Sequence, residues 1–261
     1  MTPMNASMDM VIADNLVKEF RGPDGREKRA VDGLSFRVGR GRIYGLLGPN
    51  GAGKTTTLRL LSGLMRPTSG SAMLAGFDVT NEPHRVKHVL GFLTANTGLY
   101  QRLSPRELLA YFAELHMMDR SAGRERVDFL IDHLGVADFA DLRCGALSTG
   151  QKQRVNIARA LIADPPILIM DEPTLGLDVL SNRIILRYIE RERDAGKTII
   201  LSTHYLDEAE TMCDAIGLLH DGHIIAEGDI ERLRALSGER RLSDIFLKLI
   251  HADEKVEAAI G

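Results

Sequence analysis

Gly48-Pro49-Asn50-Gly51-Ala52-Gly53-Lys54-Thr55 is the stretch on which the reading of the fold turns. It fits G-x-x-x-x-G-K-[ST] and follows a short apolar run, Ile43–Leu47 (IYGLL). After it comes a segment from Lys54 with Leu58, Leu61 and Leu64 at helical spacing. A buried strand, a glycine loop and a helix, in that order, make a cradle for phosphate. The glycines permit positive φ and let backbone N–H groups close on phosphate oxygens without side-chain obstruction. The helix start contributes the positive end of its dipole. Gly48, Pro49, Asn50, Gly51, Ala52 and Gly53 are therefore candidate nucleotide-binding positions, with Thr56 beside them on the helix. Lys54 would neutralise β- and γ-phosphate charge, and the Thr55 hydroxyl is suited to ligate Mg2+. The ligand these residues point to is a nucleoside triphosphate.

Working outward, Val11–Phe20 reads as a strand, Arg21–Arg29 as a polar turn containing Asp-Gly, and Leu34–Val38 as a half-buried strand. The middle of the chain turns helical. Ser104-Pro105-Arg106-Glu107 is a helix start, with a capping serine, proline in the first turn and glutamate three residues on. Leu108, Leu109, Phe112 and Leu115 continue it, and a second helix is expected over Arg124–Leu134, stopped by Gly135. After Asp164-Pro165-Pro166, strand and helix alternate again: Ile167–Met170, a helix around Ser181–Arg193, then Thr198–Ser202. GLLH-DG-HIIAEG (217–228) is a hairpin pattern, and Ser243–Ile250 closes with an amphipathic helix. The alternation argues for an α/β parallel-sheet core with the helical middle as an insertion.

Two further places carry chemistry. Ile167-Leu168-Ile169-Met170-Asp171-Glu172 is an apolar strand ending in two carboxylates, and the carboxyl ends of parallel strands face the ligand crevice. Asp171 can hold Mg2+ opposite Thr55, and Glu172 can orient or deprotonate an attacking water. Leu147-Ser148-Thr149-Gly150-Gln151 precedes a helix expected to run to about Ala163. Taken alone it is a capping box, Ser148 capping and Gln151 reaching back. A capped helix start is also an anion site, redundant with the glycine loop unless it serves a different nucleotide.

With GPNGAGKTT, LSTGQKQRV, ILIMDEP, GLD (176–178) and STH ending at His204 in that order, the chain resembles the ATP-binding-cassette ATPases over nearly its whole length. The resemblance implies a P-loop NTPase (RecA-like) core with an antiparallel β subdomain and an inserted helical subdomain. It places a single nucleotide-binding domain over 1–261: core 9–96 and 166–235, helical subdomain about 97–165, and a C-terminal helix about 240–252. The family's signature loop reads LSGGQ; this chain has Thr149 at the first glycine and keeps Ser148 and Gly150. In the family that loop contacts the γ-phosphate bound to the opposite subunit, which implies a head-to-tail dimer holding two ATP. By the same resemblance Lys54, Thr55 and Asp171 bind nucleotide and Mg2+, Glu172 is the catalytic carboxylate, and His204 is the switch histidine near the γ-phosphate. Asp178 links the two sites, and Phe20 stacks on adenine, its plainer alternative being a strand-end core residue. The family puts Gln or Glu after the strand corresponding to Val89–Thr94; this chain departs from it with Ala95, and Asn96 next could reach Mg2+ after a one-residue shift. GFLTANTGLYQRLSPRELLAYFAEL (91–115) and LSDIFLKL (242–249) resemble bacterial exporter ATPases of the sodium-extrusion type.

Composition is compatible with this. The chain has 261 residues, 44% of them hydrophobic and 26% charged, which is ordinary globular usage. A net charge of −3 gives no reason to expect nucleic acid as the partner. The two cysteines, Cys144 and Cys213, lack metal-ligand spacing and read as thiols in a reducing compartment. The opening MTPMNASMDM lacks a basic head and an apolar stretch, and no segment approaches the ~20 apolar residues that a spanning helix needs. The expectation is a soluble or peripheral protein, by resemblance cytoplasmic on the inner face of the membrane. Its partners would be a separate transmembrane permease and a second copy, or a second ATPase subunit. Two alternatives stand beside it: a cassette ATPase acting on ribosomes or DNA, and a P-loop kinase or GTPase. The first would show two cassettes or long coiled-coil inserts; the second leaves LSTGQ, GLD and STH unused.

Overall fold

The computed structural model describes residues 9–21, 25, 27–94 and 98–260, with side chains through residue 252. Ile43–Leu47 is a strand (β3) buried at every position, as a continuous apolar run between two layers requires. The same logic makes strands of Ile167–Asp171 (β7) and Thr198–Thr203 (β8), both buried throughout. With Leu90–Leu93 (β6), Ala215–His220 (β9) and His223–Gly228 (β10) they form a six-stranded sheet in the order β10-β9-β3-β8-β7-β6. All neighbours in it are parallel except the β9–β10 hairpin. That hairpin turns at Asp221-Gly222, both at positive φ (38° and 89°), the conformation a tight hairpin demands.

Register brings the chemistry to one end. Leu47 sits opposite Thr203 and Asp171 opposite Ser202, so the glycine loop, the acidic pair and His204 all leave the sheet at its carboxyl edge. A second sheet is wholly antiparallel, in the order β2-β1-β4-β5, from Asp9–Arg21 (β1), Glu27–Gly39 (β2), Ser69–Leu74 (β4) and Phe77–Asp78 (β5). Lys54–Leu61 (α1) lies between the two sheets and buries Leu58, Leu60 and Leu61 completely, about 1.5–3 kcal/mol each. Pro83–Val89 (α2) leads into β6.

Between β6 and β7 stand Pro105–Leu115 (α3), Arg120–His133 (α4) and Thr149–Leu161 (α5). They share a core with β3 and β7 and with Val179–Asp194 (α6), built on residues such as Leu108, Leu130, Val155, Leu168 and Ile189. Leu206–Met212 (α7), Ile230–Ser237 (α8) and Leu242–Ile260 (α9) pack a smaller cluster on Leu47 and Leu218 through Ala209, Leu233, Leu242 and Ile245. No helix among the described residues is long and apolar enough to cross a membrane.

Several elements differ from expectation at their ends. The helix from the glycine loop stops at Leu61, because Gly63 takes φ 68° and the N–H groups of Ser62, Gly63 and Leu64 fold back onto Leu58, Leu60 and Arg59. Leu64 therefore lies beyond the helix and is exposed. The helix capped by Ser148 ends at Leu161 rather than near Ala163, and α4 starts four residues before Arg124. β4, β5, α2, α7 and α8 were not anticipated. The polar turn expected over 21–29 is shorter than that, because Arg21 still belongs to β1 and Glu27–Arg29 already pair with it as the start of β2; residues 22–24 and 26 and the position of Asn96 lie outside the described residues.

Candidate active site

The glycine loop is pinned from both sides by backbone. A Cβ at Gly48 would stand 2.3 Å from the carbonyl oxygen of Leu219 in β9, and one at Gly53 would stand 2.3 Å from that of Ala30 in β2. Gly53 also has φ 106°, outside what a side chain tolerates. Close approach thus requires glycine at both positions, and at Gly53 conformation requires it as well. Gly53 is the N-cap of α1 and offers no side-chain cap, leaving the first N–H groups of the helix to a ligand. Lys54 is buried and donates from Nζ to the carbonyls of Gly48 (2.6 Å) and Pro49 (3.1 Å). Burial lowers its pKa, against the pull of Glu172 and Asp171 in the other direction. A desolvated ammonium held by neutral carbonyls is suited to receive an anion.

At the end of β7, Asp171 is 4% exposed and accepts hydrogen bonds from Thr55 Oγ1 (2.9 Å) and Ser202 Oγ (2.5 Å). Glu172 takes a left-handed backbone, φ 51°, at a cost of about 1–3 kcal/mol, while its N–H donates to the Ser202 carbonyl at 3.0 Å. Successive side chains of a strand point to opposite faces. The kink at Glu172 breaks that alternation, and both carboxylates line the same cleft. Glu172 Oε2 lies 2.7 Å from His204 Nδ1. The donor set suits a magnesium ion: one hydroxyl and one carboxylate, with the remaining positions left to phosphate oxygens and water. Among the described residues no group of three or more His, Cys, Asp or Glu gathers as a protein-only metal cage.

The cleft measures about 380 Å³. Phe20 forms one wall, 40% exposed, with Lys18 Nζ 5.5 Å from its ring centroid. Pro49, Asn50, Gly51, Gly53, Lys54, Thr55 and Thr56 form the floor, and Asp171 and Glu172 the far end. Gly48 and Ala52 belong to the loop without lining the cleft; Ala52 is buried behind it. Ser148, Gly150, Gln151 and Asp178 do not line it at all, and His204 borders a neighbouring recess of about 890 Å³. Ser148 and Gln151 close a reciprocal capping box: Gln151 N–H donates to Ser148 Oγ (3.3 Å) and Ser148 N–H to Gln151 Oε1 (2.9 Å). Asp178 caps α6, accepting from the Leu180 and Ser181 N–H groups and the Ser181 hydroxyl. The bonds from Ser181 and Leu180 hold its carboxyl below the usual range. A Cβ on Gly150 would meet Ser181 Oγ at 3.0 Å and Asp178 Oδ2 at 3.5 Å, so the two loops are seated together. The candidate residues thus fall in two separate places, the cleft over the glycine loop and a capped helix start that does not line it.

Lys28 and Ala30 of β2 also line the cleft, and Ser202 holds Asp171; none was among the expected site residues. Ser202 had a signal, because it ends the apolar strand TIILS two residues before His204. Lys28 had only its place in a charged turn.

Fold and cleft define a P-loop nucleoside triphosphatase. Residues 31–175 match the ABC transporter family, and the chain belongs to it, as an ATP-binding and ATP-hydrolysing subunit. Among curated proteins it is 38% identical over 220 residues to the ABC transporter ATP-binding protein NatA of Bacillus subtilis, covering 84% of this chain and 89% of that one. It is 38% identical over 243 residues to the daunorubicin/doxorubicin resistance ATP-binding protein DrrA of Streptomyces peucetius, covering 93% and 71%. Among solved structures, the ATP-binding subunit of an ABC transporter superposes with a TM-score of 0.84 at 28% identity, covering 92% of this chain and 99% of the other. A dimeric ATP-binding cassette in a post-hydrolysis state with ADP and Pi superposes at 0.77 and 26% identity, covering 84% and 98%.

Proposed function

We propose that the chain is the ATPase of an exporter, acting as a homodimer that encloses two MgATP and drives a separate transmembrane permease from the cytoplasmic face of the membrane. It works as a single nucleotide-binding domain, with 9–96 and 166–235 as its core, 97–165 as its helical subdomain and α9 as its closing helix, which runs over Leu242–Ile260 rather than the expected 240–252. The observation that carries this reading is the division of the site. One chain holds the glycine loop and the acidic pair in its cleft, while the Ser148-capped helix start faces elsewhere. A second copy turned head to tail supplies that helix start to the open side of the cleft.

In this arrangement Lys54 and the first N–H groups of α1 bind the β- and γ-phosphates, and Phe20 stacks on the base. Thr55 and Asp171 hold Mg2+, which when bound neutralises charge on the phosphate oxygens. Glu172 orients the attacking water and takes its proton, with His204 fixing the carboxylate from 2.7 Å. Ser148 and Gly150 close on the partner's γ-phosphate, and Asp178 ties the capped loop to the segment after Glu172. The similarity to NatA and DrrA supports export, of sodium ion or of a drug-like molecule. The permease docks on the helical insertion near Gly98–Ser104.

Replacing Glu172 with Gln should lower steady-state phosphate release by about 10²–10⁴ while leaving ATP affinity unchanged. Wild-type turnover in that variant would refute the assignment.

A further inference from the structure

Between Glu172 and Asp178 the chain crosses from the end of β7 to the start of α6, and one carboxylate outside the cleft grips this crossing at both feet. Thr174, buried, donates its hydroxyl to Glu208 Oε2 at 2.9 Å. The other oxygen, Oε1, accepts from Asn182 Nδ2 at 2.7 Å, in the first turn of α6. The side-chain oxygen of Asn182, Oδ1, is itself buried with no hydrogen-bond partner, so Glu208 is the anchor of that amide. Glu208 lies in α7, one turn beyond His204, whose ring touches Glu172. From the opposite side, Gln153 of α5 donates Nε2 to the Pro173 carbonyl at 2.9 Å. The start of that same helix, at Gly150, seats on Ser181 and Asp178. The crossing is therefore held by α7 on one side and α5 on the other.

We infer that Glu208 is a positioning residue that makes the His204 element and the Ser148-capped helix of one protomer move as a unit, so that the state of a protomer's own nucleotide is passed to the loop it lends to its partner. The inference rests on the two-site dimer proposed above. A carboxylate suits the task, because it accepts two charge-assisted hydrogen bonds at once from groups on separate elements. Truncating it strands the buried Thr174 hydroxyl and the Asn182 amide together. A glutamine retains the link: its oxygen accepts from Asn182 and its amide donates to the Thr174 hydroxyl, which can serve as acceptor.

The test is ATPase rate against ATP concentration for the full-length chain and for Glu208→Ala, Glu208→Gln and Asn182→Ala. The wild type should show a Hill coefficient approaching about 2, the number of coupled sites. Glu208→Ala should lose about tenfold to a hundredfold in kcat, with the Hill coefficient falling toward 1 and half-saturation little changed. Glu208→Gln should restore both. Asn182→Ala cuts one foot while keeping the carboxylate and should lower the Hill coefficient even if Glu208→Ala does not fold. Wild-type kcat and Hill coefficient in the alanine variants, or a glutamine variant as impaired as alanine, would overturn the inference. ATP-dependent pairing of Glu172→Gln reports separately on the dimer. If that variant pairs while Glu208→Ala behaves as wild type, only the role of Glu208 falls; if it never pairs, both fall.

Discussion

Ser202→Ala isolates one contact on which the acidic end of the cleft depends. Ser202 is fully buried at the end of β8, and its hydroxyl donates to Asp171 Oδ1 at 2.5 Å. The other oxygen of that nearly buried carboxylate is taken by Thr55 at 2.9 Å. Alanine removes a single atom and leaves almost no cavity, so the cost is that of a hydrogen bond to a charged group, about 1.5–3 kcal/mol. For a chain of this size each kcal/mol moves the melting temperature by roughly 2–4 °C, so Tm should fall by about 3–12 °C. The assay is thermal unfolding followed by far-ultraviolet circular dichroism without nucleotide, repeated in an Asp171→Asn background. There the substitution should cost less, because a neutral acceptor gains only about 0.5–1.5 kcal/mol from the hydroxyl. A Ser202→Ala chain melting with the wild type, or a cost unchanged once Asp171 is neutral, would show that the carboxylate does not depend on this hydroxyl.

Phe20→Ala should weaken ATP binding by roughly fivefold to a hundredfold, the range for losing one base–aromatic stack, with kcat preserved at saturating ATP; titration with a fluorescent nucleotide checks it. Burial would raise the pKa of Asp164, but Lys197 and Arg126 beside it outweigh that and leave the carboxyl below its ordinary range. A carboxyl with a depressed folded pKa stabilises fully above its unfolded value, about 3.9, and loses that contribution as pH falls through the folded value. Urea midpoints should accordingly drop more steeply below about pH 4 for the wild type than for Asp164→Asn; parallel curves would contradict the ion pairs.

The fold was legible where one physical signal dominated. Ile43–Leu47, Ile167–Asp171 and Thr198–Thr203 are apolar on both faces because both faces are covered, and they read as strands from sequence alone. The capping boxes at Ser104 and Ser148 marked α3 and α5 to the residue at their starts. Ser69–Leu74 escaped because only Ala72 and Leu74 turn inward, and its three leading residues are exposed and small. Leu206–Met212 and Ile230–Ser237 escaped because each is a short helix with only two buried residues, held by tertiary packing against α9 rather than by a stripe of its own. In the cleft, the residues found were those whose chemistry is tied to local spacing. Ser202 and Glu208 act across sheet register and helix packing, on partners 31 residues away in one case and 26 and 34 in the other, and no local pattern announces such contacts. The capping box at Ser148 was visible from local spacing, whereas a role toward a second nucleotide came only from the family resemblance, since a satisfied cap is a complete explanation within one chain.

Closure of nucleotide between two copies is read from the mass in solution of Glu172→Gln, measured by light scattering with and without MgATP. The variant should be a monomer without nucleotide and a dimer with it. A Glu172→Gln chain that binds ATP yet keeps the mass of a single copy would contradict that closure.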